Sequence, residues 1–261
     1  MKKIITNKFV LFSLGVLFVI GVWFLLSLCF DVSTTIFPSP IPTFKEFFNM
    51  LGKGQTYISL GYTVLRVFLG FIISFVCALV IGTIAGNHEP FYQFFKPFIT
   101  VIKSIPTVAL VFLFIALITP KMTPIVVVVI LCFPILYEGV VGGIKNVDKQ
   151  LIAASRVDGA MYMKRILYIK LPLAIPYIVV AIASSFSLSF KIEIMAEVVA
   201  GLTKNGLGSS IVAARNNDPT TLVGVFACSL FAILFMLLVT LLEEIVKHVV
   251  KRQNIVNFNN N

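Results

Sequence analysis

Long, uninterrupted runs of apolar residues are the feature that most restricts how this chain can fold. Six of them are bounded by charged residues, glycine or proline, and each is close to the roughly 20 residues that a helix needs to cross a hydrocarbon core of about 30 Å. The runs cover residues 9–30, 62–86, 98–118, 123–144, 172–195 and 222–246. Because they are continuous rather than alternating, they favour helices over a β-barrel. The sequence therefore predicts an all-α, polytopic membrane protein with six transmembrane helices.

Composition supports a membrane location. Hydrophobic residues make up 59% of 261 positions and charged residues 12%, whereas about 25% of the residues are charged in an average soluble domain. Four cysteines, at positions 29, 77, 132 and 228, lie in four different runs without the spacing of a metal or redox motif. We interpret them as small buried apolar side chains, and neither a metal site nor a cofactor is predicted.

The distribution of Lys and Arg predicts the orientation in the membrane. Most of the 21 basic residues lie in segments that are cytoplasmic if the N-terminus is inside, as the positive-inside rule requires. The prediction is a multi-pass protein of the bacterial cytoplasmic membrane: a cytoplasmic N-terminus (1–8), a membrane domain (9–250) and a cytoplasmic tail (251–261). The net charge of +10 then reflects topology and contact with anionic lipid, so no nucleic acid partner is predicted.

The first apolar run resembles a secretory signal only superficially. It is longer than the apolar core of a signal peptide, and no small-x-small cleavage site follows it. We therefore expect it to be retained as the first span.

The longest predicted cytoplasmic loop, residues 145–171, is basic and has apolar residues at roughly helical spacing. This pattern predicts a short amphipathic helix, a break at Gly159, where a left-handed backbone is tolerated, and a second helical piece. Pro172 is expected in the first turn of the fifth span, where its missing N–H does no harm. On pattern alone, a lipid-facing amphipathic loop is the alternative.

The spacing within this loop resembles the signature of the inner-membrane permease subunits of binding-protein-dependent ABC importers. That signature is Glu-Ala-Ala, a glycine at the seventh position and Ile-x-Leu-Pro at the seventeenth to twentieth. The matching residues are Ala153-Ala154-Ser155, Gly159 and Ile169-Lys170-Leu171-Pro172. Short motifs in residues 37–40, 59–71, 103–106 and 196–208 are similar to the branch that handles nitrate, sulfonates, taurine and thiamine precursors. The likeness extends over about residues 38–251.

The resemblance implies the MetI-like fold of type I importer permeases and a set of partners. These are a second permease copy, two cytoplasmic ABC ATPase subunits and an extracytoplasmic solute-binding protein. It also implies that the loop couples the permease to the ATPase. The coupling residues implied are Ala153, Ala154, Ser155, Asp158, Gly159, Ala160, Lys164, Arg165, Ile169, Leu171 and Pro172. The chain itself lacks the Gly-x-x-x-x-Gly-Lys-Ser/Thr phosphate loop, so it is not predicted to be an enzyme.

Three positions depart from the family pattern, namely Ala153, Ser155 in place of the third residue of the signature, and Glu138. Ala153 stands where the signature has its acidic residue, so a salt bridge from that carboxylate to the ATPase cannot form here. Asp158, Lys164 and Arg165 remain available for polar contacts. Glu138 stands where the branch tends to have a neutral polar residue; it is expected either to alter the lower part of the pathway or to pair with a nearby base.

Ionisable residues inside the spans are candidates for the translocation pathway, because charges within a membrane tend to face an aqueous cavity or a partner helix. The candidates are Glu138, Lys191, Glu193 and Glu197. Glu193 and Glu197 are four residues apart and share one helical face, whereas Lys191 lies about 200° away from Glu193. For Lys191, packing or ion pairing elsewhere is the alternative. Positive charge at Arg66 and Lys103 suits an anion, but the two glutamates offset it, so the charge of the solute stays open.

These observations predict the membrane-spanning permease subunit of an ATP-driven importer for a small solute of the nitrate, sulfonate or thiamine-precursor type. The alternative is a stand-alone secondary transporter that uses Glu138, Glu193 or Glu197 as proton or cation sites. An integral-membrane enzyme is disfavoured, since no convergent polar motif is present.

Overall fold

The computed structural model describes residues 8–29, 37–201, 205–217 and 222–259, and every regular element in these ranges is helical. The helices are α1 (Lys8–Cys29), α2 (Pro40–Leu51), α3 (Gly54–Asn87), α4 (Glu89–Ser104), α5 (Thr107–Leu117), α6 (Thr123–Lys145), α7 (Lys149–Val157), α8 (Tyr162–Arg165), α9 (Leu171–Ala200), α10 (Leu207–Asn217) and α11 (Val223–Asn259). The all-α prediction is confirmed. The predicted N-terminal segment lies outside the described residues except for Lys8, and so do the side chains of residues 251–261.

Four helical runs are long and apolar enough to cross a membrane. They are α3, α6, the run Tyr162–Ala200 and the stretch Val223–Val250 of α11. A fifth crossing is present if α4 and α5 count together, and α1 contains a shorter apolar stretch, Leu14–Leu28. The described residues thus have four to five candidate spans, one or two fewer than the six predicted.

The prediction of one continuous third span over residues 98–118 is wrong, because α4 and α5 meet at an angle of 95°. Ile105 between them has extended backbone angles, φ −75° and ψ 128°. Proline disfavours the helical conformation in the residue before it and has no N–H to continue the helical ladder. Pro106 therefore ends α4 and lets α5 start in a new direction. A tight turn follows α5, since the Met122 N–H donates to the Thr119 carbonyl at 3.0 Å.

The helices α3, α6 and α9 form the packed centre of the molecule, and glycines allow α3 and α6 to approach closely. A Cβ atom on Gly82 would lie 2.9 Å from Val140 Cβ, and one on Gly86 would lie 2.9 Å from Ile144 Cβ. The four-residue spacing of these two glycines thus permits close helix approach. On the other side of α6, a Cβ atom on Gly143 would lie 2.8 Å from the Ala174 Cβ of α9. Small residues thus hold α6 between its two neighbours.

The helix that contains the fifth predicted span begins at Tyr162, ten residues before Pro172. α8 continues through a π-helical turn, Ile166–Lys170, into α9, and the three form one helical run of 39 residues. The Leu171 N–H donates to the Ile166 carbonyl, five residues earlier. Pro172 has no N–H to donate, and its ring would crowd the carbonyl four residues earlier in a regular α-helix. The wider π turn relieves this conflict. Pro172 is the second residue of α9, in its first turn as predicted, and the helical run continues through it.

Candidate functional site

The C-terminal half of α9 has its charged groups on different faces. Glu193 and Glu197 are fully buried, with 0% of each residue exposed, and they share one face as their spacing predicts. Lys191 is exposed, and among residues 181–200, all of which the structure describes, no other residue is exposed. The open face of this half-helix therefore has an ammonium group and no carboxylate.

Glu197 is held by groups from α3 and α10. The Arg66 guanidinium donates to Glu197 Oε1 at 2.6 Å, and the Thr63 hydroxyl lies 3.0 Å from each carboxylate oxygen. The Gly208 N–H donates to Glu197 Oε2 at 2.9 Å. Charge-assisted hydrogen bonds of this kind compensate for the burial of both charges. Glu197 is thus a fully partnered carboxylate.

The turn before α10 wraps around the Glu197 carboxylate. Arg66 also donates to the Asn205 carbonyl at 2.7 Å, and the Leu207 N–H donates to the Thr63 hydroxyl at 2.8 Å. Gly206 has φ +154°, and a Cβ atom there would collide with the Glu197 carboxylate. A Cβ atom on Gly208 would lie 2.7 Å from Glu197 Cβ. Both glycines are required because any side chain would push the turn off the carboxylate.

We call Thr63, Arg66, Glu197 and residues 205–208 the Arg66–Glu197 cluster. Glu197 is predicted from the sequence to be a pathway candidate and Arg66 has no predicted partner, whereas the structure pairs the two residues. Arg66, Glu197 and the Asn-Gly-Leu-Gly turn each belong to a motif recognised in the sequence. Their pairing was missed because nothing local indicates that residues 131 positions apart meet.

Glu193 contributes no charge to the open face of α9. Both of its carboxyl oxygens are buried without a hydrogen-bond partner in the described part of the chain. A charged carboxylate without partners is strongly unfavourable in an apolar interior. Glu193 and the paired Glu197 therefore do not offset the positive charge of Lys191.

Lys191 lies in an open groove between α9, α10 and α11 with a volume of about 580 Å³. The groove is mainly apolar, with Ser229 and Thr240 as its hydroxyl side chains. The neighbouring Phe190 stacks edge-on against Phe235, with ring centroids 5.2 Å apart, which places Lys191 beside the middle of α11. Lys191 forms no ion pair with any described residue. An unpaired ammonium group within a candidate membrane span requires water or an anion beside it.

Glu138 pairs with a nearby base and does not approach Lys191. The Lys103 ammonium lies 2.8 Å and 3.0 Å from the two carboxylate oxygens, and both side chains are about half exposed. The pair links the end of α4 to α6, close to the bend before α5. Pairing with a nearby base is one of the two roles predicted for Glu138 from the sequence.

The loop that matches the permease signature folds as a helix, a glycine turn and a second helix. The Asp148 carboxylate caps α7 by accepting the Gln150 N–H at 2.8 Å. α7 ends where Gly159 takes φ +75° and the Ala160 N–H donates to the Ser155 carbonyl at 3.1 Å, a typical glycine C-terminus. The predicted break at Gly159 is confirmed.

The loop residues that match the signature differ in exposure. Ser155 is buried and donates to the Ile152 carbonyl at 2.8 Å. Exposed members of the set are Ala153, Ala154, Asp158, Gly159, Lys164 and Pro172, and partly exposed members are Ala160, Arg165, Ile169 and Leu171. The loop therefore exposes both apolar and polar members of the matching set.

Hydrogen bonds tie the loop to the corner between α3 and α4. The Tyr162 hydroxyl lies 3.1 Å from His88 Nε2, and Lys170 donates to the Asn87 side-chain oxygen at 2.6 Å. The corner therefore positions both the start of α8 and the end of the π turn.

Comparison with known proteins defines the class. Residues 78–253 match the family of binding-protein-dependent transport system inner membrane components, and the chain belongs to this family. It is a multi-pass inner-membrane permease subunit of a binding-protein-dependent ABC importer, and ATP hydrolysis resides in partner ATPase subunits. The permease prediction is confirmed, and the secondary transporter and enzyme alternatives are set aside.

Particular relatives share most of the chain. It is 26% identical over 193 residues to the putative aliphatic sulfonates transport permease SsuC of Bacillus subtilis (strain 168), covering 74% of this chain and 69% of SsuC. It is 27% identical over 214 residues to the riboflavin transport permease RibX of Chloroflexus aurantiacus, covering 80% and 79% of the two chains.

Among solved structures, the chain is similar to the inward-facing MetNI methionine ABC transporter. The TM-score is 0.60 at 18% identity, with 72% of this chain and 93% of that chain covered. This likeness shows that the chain has the MetI-like fold.

Proposed function

We propose that this permease carries a small anionic solute of the sulfonate class, and that Lys191 is the residue that attracts it. The observation that carries the proposal is the charge separation on α9: Lys191 is exposed, whereas Glu193 and Glu197 are buried. A single-sign charge beside a low-dielectric wall concentrates ions of the opposite sign. The groove at Lys191 therefore favours anions over cations.

The relatives are named for solutes of two different kinds, one anionic and one uncharged. SsuC is named for aliphatic sulfonates, each of which carries a negative charge on its sulfonate group. RibX is named for riboflavin, which is uncharged at neutral pH. Lys191 favours the first of these two chemistries for this chain.

The proposed assembly is a homodimer around one central pathway, with two ATPase subunits in the cytoplasm and a solute-binding protein outside. Residues 9–250 form the membrane domain with both termini cytoplasmic. The six crossings are α1, α3, the bent pair α4–α5, α6, the run that ends in α9, and α11. Two copies of α9 place two Lys191 side chains along the pathway, which strengthens its preference for anions.

Coupling is proposed to run from the loop to Lys191 through one helix. The exposed surface of α7 and the Gly159 turn dock on the ATPase, with Asp158, Lys164 and Arg165 as the polar contacts. The helical run from Tyr162 to Ala200 is continuous, so a movement of the loop displaces α9 without an intervening hinge. ATP binding draws the two loops together and shifts the population from inward-open to outward-open, and hydrolysis restores the inward state.

The other pathway candidates have supporting roles in this proposal. Glu197 holds α3, α9 and α10 together from behind the pathway, and Glu193 lies on the same buried face. Glu138, with Lys103, stabilises the bend between α4 and α5 at the inner end.

The experiment is uptake by the complete importer in proteoliposomes, assayed with ethanesulfonate, taurine and riboflavin. Lys191→Met is expected to reduce sulfonate uptake about tenfold or more, because one unpaired charge in a partly desolvated site contributes about 1.4 kcal/mol or more. Lys191→Arg is the matched control and should retain most of the uptake. Unchanged sulfonate uptake in Lys191→Met, or uptake of riboflavin alone, would contradict the anion assignment while leaving the permease assignment intact.

A further inference from the structure

A basic pocket lies behind the coupling loop, between α7 and the cytoplasmic ends of α3 and α6. Its volume is about 590 Å³. Its charged lining residues are Lys145, Lys149, Arg156, Lys170 and Glu89. Four basic side chains thus face one acidic side chain, and α7 forms one wall of the pocket.

The single acid is already engaged. Glu89 accepts a hydrogen bond from Lys145 at 2.8 Å and another from Gln93 at 2.7 Å. Lys145 also lies over the Tyr92 ring, 3.3 Å from its centroid. Glu89 and Lys145 therefore satisfy one another, and neither compensates the remaining bases.

Three basic side chains of the pocket have no counter-ion among the residues that the structure describes. Lys170 donates to the neutral Asn87 amide, and neither Lys149 nor Arg156 forms an ion pair with any residue that the structure describes. Ala153 lines the pocket between them and offers only a methyl group. Like charges that converge in this way repel one another, and an anion placed among them relieves the repulsion.

The uncharged lining indicates what kind of anion fits. Ile144, Val147 and Ile152 form an apolar wall beside the bases. Lys170 belongs to the helical run that continues into the membrane, so the pocket lies at the membrane surface. Basic pockets at the cytoplasmic ends of transmembrane helices suit phospholipid headgroups, and the apolar wall suits the first carbons of the acyl chains.

We infer that this basic pocket binds the phosphate group of an anionic phospholipid from the cytoplasmic leaflet. The bound phosphate joins α7 to the ends of α3 and α6 through Lys149, Arg156 and Lys170, and so holds the coupling helix in its docking position. The inference uses the proposed cytoplasmic placement of the loop and does not depend on which solute is carried.

The test measures lipid binding by the full-length chain, purified with its ATPase subunits in mild detergent. Native mass spectrometry titrates phosphatidylglycerol against phosphatidylcholine. The wild type is expected to retain phosphatidylglycerol selectively. The double variant Lys149→Ala/Arg156→Ala should bind it about 30-fold more weakly, since each basic residue near an anionic surface contributes about fivefold.

Two further variants separate the pocket from general surface charge. Lys96→Ala removes an exposed base of α4 that does not line the pocket, and it should leave binding unchanged. Ala153→Glu keeps every base but adds a carboxylate to the lining, and it should weaken binding about as much as loss of one base. Binding that is equal in the wild type and the double variant would overturn the inference.

Inorganic phosphate distinguishes the two sources of a phosphate group. Millimolar phosphate should displace little of the bound phosphatidylglycerol if the apolar wall contributes to lipid binding. Complete displacement by phosphate, with no preference for phosphatidylglycerol over phosphatidylcholine, would assign the pocket to a soluble phosphate and overturn the lipid assignment.

Discussion

The two ends of the helical centre, which we propose to be its outer and cytoplasmic ends, use charge in opposite ways. At the outer end, Arg66 and Glu197 are paired at 2.6 Å, and the Glu197 side chain is 0% exposed. At the cytoplasmic end, Lys149 and Arg156 are exposed and have no ionic partner among the described residues. The outer end is closed by contacts within the chain, whereas the cytoplasmic end leaves its charges for other molecules.

The glycines at the two ends of the helical centre differ in the same way. Gly206 and Gly208 are packed so tightly against Glu197 that no side chain fits, whereas a Cβ atom on Gly159 would meet nothing within 4 Å. The first two glycines are there for packing and the third for a left-handed turn. The Arg66–Glu197 cluster thus fixes three helices relative to one another, whereas the exposed loop has the surface that we propose contacts the ATPase. The difference can be tested by comparing stability with coupling in matched variants.

The largest expected effect on stability comes from Glu197→Gln. It leaves the Arg66 guanidinium, whose side chain is only 13% exposed, without a counter-charge, and removal of one partner of a buried ion pair costs about 3–5 kcal/mol. Thermal unfolding of the purified chain in detergent should show a large fall in Tm. Glu138→Gln is the control, because its half-exposed pair with Lys103 contributes about 0–1 kcal/mol. Equal shifts in the two variants would remove the distinction between the clusters.

Gly208→Ala should destabilise the chain by about 1–3 kcal/mol, the usual range for overpacking a tight contact. The added methyl group would lie 2.7 Å from Glu197 Cβ and 2.9 Å from the Val198 nitrogen. Gly142→Ala is the matched helical control, since a Cβ atom there meets nothing within 4 Å and alanine favours the helix. The same thermal measurement applies, and a neutral Gly208→Ala would show that the turn can move away from Glu197.

Gly159→Val should have a smaller effect on stability and a large one on coupling. A β-branched residue at φ +75° is strained by about 1–2 kcal/mol, so the turn between α7 and α8 changes its direction. The variant is expected to insert into the membrane but to lose ATP-driven uptake and copurification with the ATPase. Gly159→Asn, which tolerates a left-handed backbone, should restore both. Normal uptake by Gly159→Val would count against the coupling role of the loop.

The smallest expected effect belongs to Tyr162→Phe. It removes the hydroxyl that lies 3.1 Å from His88 Nε2 in an exposed setting, where a hydrogen bond contributes about 0.5–1.5 kcal/mol at most. Stability should change little, and ATPase stimulation by solute should fall modestly because the start of α8 is less firmly held. A fall in Tm as large as that of Glu197→Gln would show that the cytoplasmic contacts also fix the fold.

Local patterns in the sequence predicted what depends on local physics. Hydropathy indicated the helical runs, the four-residue spacing placed Glu193 and Glu197 on one face, and Gly159 marked the turn after α7. The bend before Pro106 and the π turn before Pro172 were not predicted. A proline indicates that a regular helix is interrupted, but neighbouring packing decides whether the chain bends or widens.

Pairings between distant segments were also beyond the sequence. The partner of Arg66 lies 131 residues away along the chain. The excess of positive charge in the basic pocket arises only because α3, α6 and α7 meet at one place. Such contacts follow from the tertiary arrangement rather than from any spacing along the chain. The angle between Lys191 and Glu193 was local, so the separation of their faces was predictable, whereas the burial of both acids was not.

The most direct test of the charge separation on α9 is the reactivity of a single cysteine beside Lys191. The variant Met195→Cys places this cysteine one turn from Lys191, in a chain whose four native cysteines are replaced by alanine. In the assembled importer, a sulfonate-bearing methanethiosulfonate should react faster than a trimethylammonium-bearing one, and Lys191→Met should reduce this ratio about tenfold or more. Both Met195 and Lys191 line the same groove, so the reagent senses the lysine directly. A ratio that is unchanged by Lys191→Met, or a cysteine that reacts with neither reagent, would contradict an anion-selective aqueous pathway along this face.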